Sequence, residues 1–185
     1  MTASAEWPVE RYRGLLHALA RRVELDPRFH RRFSVSDIVQ ETLLKAHQHR
    51  GQFRGSTEAE LVGWLQRILA NTLRDEMRKA GAAMRDQGLE RSLQQALHDS
   101  SALLAANLAV EQPSPSAQAE RREQLTRMGD ALQGLPEAQR DAVILHYLMG
   151  DSVTGIAQKL ACTNKAVAGL LYRGLKRLRE ELSDS

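Results

Sequence analysis

From Val9 to Lys79 apolar residues recur every three or four positions: Leu15, Leu16, Leu19 and Val23, then Ile38, Val39, Leu43 and Ala46, then Leu61, Trp64, Leu65, Ile68, Leu69, Leu73 and Met77. That spacing lines one face of a helix and leaves the other face polar, so three amphipathic helices are predicted. Nothing in the chain alternates with the two-residue period of a half-buried strand, and the fold class read from the pattern is all-α. Ser36 is placed to cap the second helix with Asp37 in its first turn, and Thr57-Glu58-Ala59-Glu60 has the form of a capping box for the third.

The periodicity fades between Gly81 and Gln118, where small and polar residues accumulate and Pro113-Ser114-Pro115-Ser116 cannot continue a helix. Leu89, Leu93, Leu97 and Leu103-Leu104 are enough for a short helix packed against another part of the molecule. A second helical unit follows, giving domains at 1–80 and 119–185 with a linker at 81–118. Pro136 suits the first turn of a helix, Gly150 its stop, and Ser152 and Thr163 cap the two helices after it. Leu132, Leu135, Val143, Ile144, Tyr147, Leu148, Ile156, Leu160, Val167, Leu171, Leu175 and Leu178 form the expected small core of this unit. Its later helices are joined by the tight turn Ala161-Cys162-Thr163-Asn164, the layout of a helix-turn-helix, which sets one exposed helix in the major groove of DNA.

Composition narrows the function classes. The 185 residues carry 26 basic and 23 acidic side chains, a net charge of +3, with basic ends around an acidic middle, which permits nucleic acid as a partner. A single cysteine, Cys162, excludes an internal disulfide and fits a reducing compartment. The start Met1-Thr2-Ala3-Ser4-Ala5-Glu6 lacks the pattern of a secretory signal and no apolar run approaches a membrane span, so the expected location is cytoplasmic. No Gly-rich phosphate loop, nucleophile elbow or metal-binding helix pair is present, and His47 and His49, two apart, point away from each other. The chain is therefore read as a non-enzyme with no catalytic residues, no metal and no cofactor.

Three strings, in order, carry a resemblance. Asp37-Ile38-Val39-Gln40-Glu41-Thr42, then Trp64-Leu65-Gln66-Arg67-Ile68-Leu69-Ala70-Asn71 with Asp75 and Arg78, then Leu135-Pro136-Glu137-Ala138-Gln139-Arg140 with Ile156-Ala157 and a basic last helix together resemble the bacterial RNA polymerase sigma factors of the extracytoplasmic-function type, in the sigma-70 family. The resemblance covers nearly the whole chain. It implies a region 2-like helical bundle that binds core polymerase and the minus-ten element, and a region 4-like helix-turn-helix that reads the minus-thirty-five element. The function implied is promoter recognition and transcription initiation. Implied partners are core RNA polymerase, through the beta-prime clamp helices and the beta flap, promoter DNA, and an anti-sigma factor.

Residue by residue, Asp37 and Glu41 share a helix face four apart with Gln40 beside them, and the resemblance assigns that acidic face to the arginine-rich clamp helices. Melting a promoter means holding unstacked bases, which asks for cations along the backbone path and a surface for each base. Arg67, Arg74 and Arg78 lie near one stripe of the third helix, Asn71 can hydrogen-bond a base edge, and Phe53 and Arg54 sit in the loop resembling the base-capturing loop. Trp64, spaced with Leu61 and Ile68, reads as core. Thr163, Asn164 and Lys165 stand where a recognition helix reaches base edges, while Arg173, Lys176 and Arg177 are placed for phosphates. Asp75 and Glu76 read as ion-pair partners of Arg78 or Lys79.

The chain departs from the family at Ala168, Gly169 and Leu170, where a basic residue, a serine and an arginine are usual, and at Gly155, where glutamate is common. Fewer donors predict altered minus-thirty-five contacts. The alternative reading is a one-component helix-turn-helix regulator that never touches polymerase; it would need a self-complementary apolar stripe, and none is surplus in the first unit. A third is an interaction adaptor without DNA binding, which the basic residues further along the last helix weigh against.

Overall fold

A computed structural model describes residues 9–27, 33–79, 93–97 and 126–183, with single positions 91 and 99. The readings made on Met1 to Glu6, Leu89, Leu103-Leu104, Pro113 to Ser116 and the start of the second unit at Ala119 lie outside the described residues. After a 3₁₀ turn at Val9–Tyr12 come α1 (Arg13–Leu25), α2 (Val35–Gln48) and α3 (Glu58–Lys79). A helical piece at residues 93–97 is α4, and residues 126–134 form α5. Then follow α6 (Glu137–Val143), α7 (Val153–Lys159) and α8 (Asn164–Ser183). No strand occurs among the described residues.

The predicted apolar faces of α1 to α3 become the core: Leu15, Leu16, Leu19, Val23, Ile38, Val39, Leu43, Ala46, Leu61, Leu65, Leu69, Leu73 and Met77 are all buried. Each such leucine withdraws enough surface from water to stabilise the fold by about 1.5–3 kcal/mol. Leu93 and Leu97 of α4 are buried in the same cluster, so this part of the expected linker is packed on the first unit.

Local signals behave largely as expected. Thr57 and Glu60 form the reciprocal capping box: Glu60 N donates to Thr57 Oγ1 at 3.3 Å and Thr57 N to Glu60 Oε2 at 2.9 Å. Ser152 Oγ accepts from Gly155 N at 3.1 Å, Thr163 Oγ1 from Ala166 N at 3.1 Å, and Gly150 turns the chain at φ +74°. One cap is corrected. The cap of α2 is Ser34, whose Oγ accepts from Asp37 N at 3.2 Å; Ser36 lies inside the helix and exposed, because Val35 is buried and has to join the helix for its side chain to reach the core. The helix begun at Glu137 widens into a π turn over Ile144–Leu148, which periodicity does not announce.

The second unit does not keep its core to itself. Ala142, Leu145, Ile156, Ala157 and Val167 form a small cluster inside the helix-turn-helix, whereas Leu132, Leu135, Val143, Ile144, Leu148 and Leu178 join the cluster of the first unit. Tyr147, Leu160, Leu171 and Leu175, expected in the core, are only half-buried. Helix α6 and its π extension thus present apolar side chains on two faces, one inward and one toward α1.

That joint has two further parts. Gly14 of α1 and Gly129 of α5 face each other so closely that a Cβ on Gly14 would collide with Asp130 N, and one on Gly129 with Leu15 N. Beside them Arg21 lays its fork on Asp141, with Nε to Oδ1 at 2.8 Å and Nη2 to Oδ2 at 2.5 Å, and also reaches Glu24 at 2.6 Å and Glu137 at 2.7 Å. Asp141 is 5% exposed, and its hydrogen bond raises the pKa of Arg21 still further above the ordinary value.

Candidate nucleic-acid interface

Three surfaces carry the residues singled out in the sequence. On α2, the inward turn of Ile38, Val39 and Leu43 leaves Asp37, Gln40 and Glu41 exposed on one face. Leu44 continues that face with half its surface in solvent, 51%; hydrophobic periodicity missed it, since Leu43 already fills the inward position. Lys45 pairs with Glu41 and with Asp75, each at 3.4 Å. The expected partner of Asp75 is therefore corrected: α2 packs beside α3 and brings Lys45 to it, while Glu76 takes Lys79 at 3.6 Å. Asp37, Glu41, Lys45, Asp75, Glu76 and Lys79 together border a hollow of about 240 Å³.

The second surface is concave. A cavity of about 750 Å³ opens where the loop after the 3₁₀ turn Arg50–Gln52 meets the start of α3, with Phe53, Arg54, Trp64, Gln66 and Arg67 among its lining. The Phe53 and Trp64 rings lie 5.3 Å apart, tilted by 39°. Trp64 was read as core; it is half-buried, and its ring is both packing and wall. Gly55 allows Phe53 to fold back under the loop, because a Cβ there would run into the phenyl ring and Glu60.

Glu60 also borders the cavity. Its carboxylate is held below its ordinary pKa by backbone hydrogen bonds from Ser56 and Thr57, then by the Thr57 hydroxyl. Its charge thus serves the loop backbone, and Arg54 and Arg67 supply the cationic character of the mouth. Of the six residues expected to meet the minus-ten element, Phe53, Arg54 and Arg67 line this cavity. Asn71, Arg74 and Arg78 lie further along α3, Asn71 and Arg74 half-buried and Arg78 exposed. Gln52 and Gln66, and Gln94 and Gln95 from α4, line the cavity too; glutamine carries no periodic signal that would single it out.

The third surface is convex. Ala161 takes the left-handed conformation at φ +50°, and the turn brings α8 across α6 and α7. Gly174 lets α8 sit against α6, since a Cβ there would come within 3.0 Å of Val143 Cγ2. Thr163 spends its hydroxyl oxygen on the helix cap, and Asn164 Nδ2 donates to Thr154 Oγ1 at 3.4 Å. Lys165, Ala168, Tyr172 and Lys176 follow one another along the outer face, all exposed, Tyr172 at 71%. Arg173 folds back over Gly169, whose missing Cβ leaves it room. Arg177 is exposed, and Lys176 faces Glu180 at 3.9 Å. Among the described residues no group of three His, Cys, Asp or Glu side chains is placed to hold a metal ion, and no helix is long and apolar enough to cross a membrane.

The described residues thus form helices only, with a cation-edged cavity on one unit and a helix-turn-helix on the other. Family comparison places each unit: Sigma-70 region 2 matches residues 8–83, and Sigma-70 region 4 matches residues 125–178. The chain belongs to the sigma-70 family, with the short two-region layout of its extracytoplasmic-function members. It is 29% identical over 147 residues to "Probable RNA polymerase sigma factor RfaY" of Xanthomonas campestris pv. campestris, a match covering 79% of this chain and 33% of the relative, so the chain spans about a third of that relative's length. A co-crystal structure of the sigma factor RpoE with the anti-sigma factor NepR from Bartonella quintana is 26% identical, with 92% of this chain and 91% of that chain covered and a TM-score of 0.36.

Proposed function

We propose that this chain is a promoter-specificity subunit: it binds core RNA polymerase, recognises two promoter elements and opens DNA, and itself makes or breaks no covalent bond. The observation that carries the reading is the order of the two matched regions, with a cation-edged concave surface on the first and an outward-facing last helix on the second.

In this reading Asp37, Gln40 and Glu41 meet arginines of the beta-prime clamp helices, since an exposed carboxylate pair four apart suits guanidinium forks and gives orientation and on-rate. The second unit lies against the beta flap. Phe53, Arg54, Arg67, Asn71, Arg74 and Arg78 take the unpaired minus-ten strand, aromatic surface for bases and cations for phosphates. Thr163, Asn164 and Lys165 approach base edges of the minus-thirty-five duplex, and Arg173, Lys176 and Arg177 its backbone. The two units are the functional domains, 1–80 and 119–185, with the linker between them.

The test is run-off transcription on fragmented genomic DNA of the source organism, with core polymerase in the presence and absence of the protein. Discrete transcripts that require it are expected; none, together with no association with core enzyme, would return the one-component regulator. In a pull-down on core enzyme, Asp37→Arg with Glu41→Arg is expected to abolish co-purification while the far-ultraviolet dichroism stays unchanged. A double variant that still co-purifies at normal yield sinks the docking assignment.

A further inference from the structure

Part of the region 2 cavity is contributed from outside region 2. The matched segment ends at residue 83, yet Gln94, Gln95 and Leu97 of α4 line the same cavity as Phe53 and Trp64. The segment is anchored there: Leu93, Ala96 and Leu97 are 2%, 3% and 1% exposed, and Leu93 and Leu97 belong to the cluster formed by α1 to α3. The three turn inward, so the glutamines between them are presented outward, and both are exposed.

Besides the Glu60 carboxylate, which the loop backbone takes up, the cavity has three kinds of wall. Phe53 and Trp64 give aromatic surface, Arg54 and Arg67 give positive charge, and four glutamines, Gln52, Gln66, Gln94 and Gln95, give amides that both donate and accept. Stacking and charge suit any single strand, because every base has a π-face and every nucleotide a phosphate. Discrimination requires paired hydrogen bonds to a base edge, and a glutamine amide, with a donor beside an acceptor, pairs with the donor–acceptor edge of an unpaired base, the favoured base being set by how the amide is oriented. Of the two glutamines that α4 contributes, Gln95 donates Nε2 to Asp99 Oδ1 at 2.7 Å one turn on, so Gln94 is the one this segment offers to a base.

We propose that Gln94, held at the cavity by the buried leucines of α4, reads the edge of one unpaired base in the melted minus-ten strand, so that the first helical piece of the linker is part of the promoter-reading surface. This rests on the assignment of the region 2 cavity to single-stranded DNA.

The experiment uses the full-length chain assembled with core polymerase, offered a pool of single-stranded oligonucleotides randomised over a six-base minus-ten stretch, with the bound fraction sequenced. The wild-type holoenzyme is expected to favour one base at one position by about tenfold, the scale of one bidentate amide contact. Gln94→Ala flattens that position to within about twofold and leaves the others, and Gln94→Glu shifts it to the amino-bearing bases, because a carboxylate only accepts. An unchanged base profile in both variants overturns the proposal. So does tighter binding of all sequences by Gln94→Ala, which would make α4 a cover over the cavity and not a wall of it. A wild-type holoenzyme with no base preference at any position overturns the region 2 assignment and this proposal together, whereas a preference that survives both substitutions overturns this proposal alone.

Discussion

On the first unit the aromatic, amide and cationic side chains converge on a hollow of about 750 Å³, whereas on the second they stand along the outside of α8. In the proposed reading the difference matches what each surface holds. A flipped base is a flat apolar plate with polar edges and needs walls on several sides; a duplex presents its information in a groove that one protruding helix enters. The hollow therefore requires loop, helix and linker to meet. The protruding helix needs little beyond a good cap and something firm behind it, here Thr163 and the Gly174–Val143 contact.

Four experiments press on that contrast. The largest effect is expected at the joint that ties the two surfaces together. Arg21→Ala leaves the carboxylate of Asp141 in a buried place without its guanidinium fork, at a cost of about 3 kcal/mol. Its urea midpoint should fall, and the distance between a fluorophore on Cys162 and one on a cysteine at Gln48 should lengthen and broaden. An unchanged distance distribution would mean that the shared apolar cluster alone holds the units together.

Next, Phe53→Ala removes stacking surface from the hollow and should weaken single-strand binding by the holoenzyme by about 2 kcal/mol, leaving binding of a minus-thirty-five duplex untouched. Equal loss on both substrates would erase the distinction between concave and convex readers. A smaller, sequence-independent loss is expected for Arg177→Ala on the duplex, with the slope of log affinity against log salt shallower by about 0.9, the signature of one phosphate contact. A change of base preference at that position would instead give Arg177 a base edge.

The smallest effect is a pH dependence at the joint. His17 is half-buried beside Arg21, Arg140, Glu24 and Glu137; burial, then the charges of Arg140 and Arg21, lower its pKa below the ordinary 6.5. The native state therefore binds fewer protons than the unfolded chain as the pH drops below about 6.5, so this contribution to stability is complete above that value and is lost below it. Urea midpoints should decline between pH 7.5 and 5.5 more for the wild type than for His17→Gln, and identical slopes would remove His17 from the account.

The sequence made the first unit legible because every helix there buries one stripe, and one-stripe helices are what periodicity detects. It misjudged the second unit for the same reason. Val143 and Ile144 face the first unit's cluster while Ala142 and Leu145 face the helix-turn-helix, and a helix buried on two faces gives no sign of which neighbour takes which. At the site, charged residues were legible by type, but Gln52, Gln66 and Gln94 were not, since an amide gains meaning only beside an aromatic wall that folding brings to it. Ser34 was passed over for Ser36 because either serine can cap, and only the burial of Val35 decides between them.

The clip that Glu60 makes on Ser56 and Thr57 has a thermodynamic consequence for the hollow it borders. Its carboxylate accepts from both backbone amides at 2.9 Å and from the Thr57 hydroxyl at 2.9 Å, so the end of the loop that borders the hollow is fastened to the first turn of α3 in the free protein. A loop that had to be ordered on binding would give back about 1–2 kcal/mol of conformational entropy for each residue fixed. Here that cost is met during folding, so under the proposed function a strand stacking in the hollow would keep that energy as affinity.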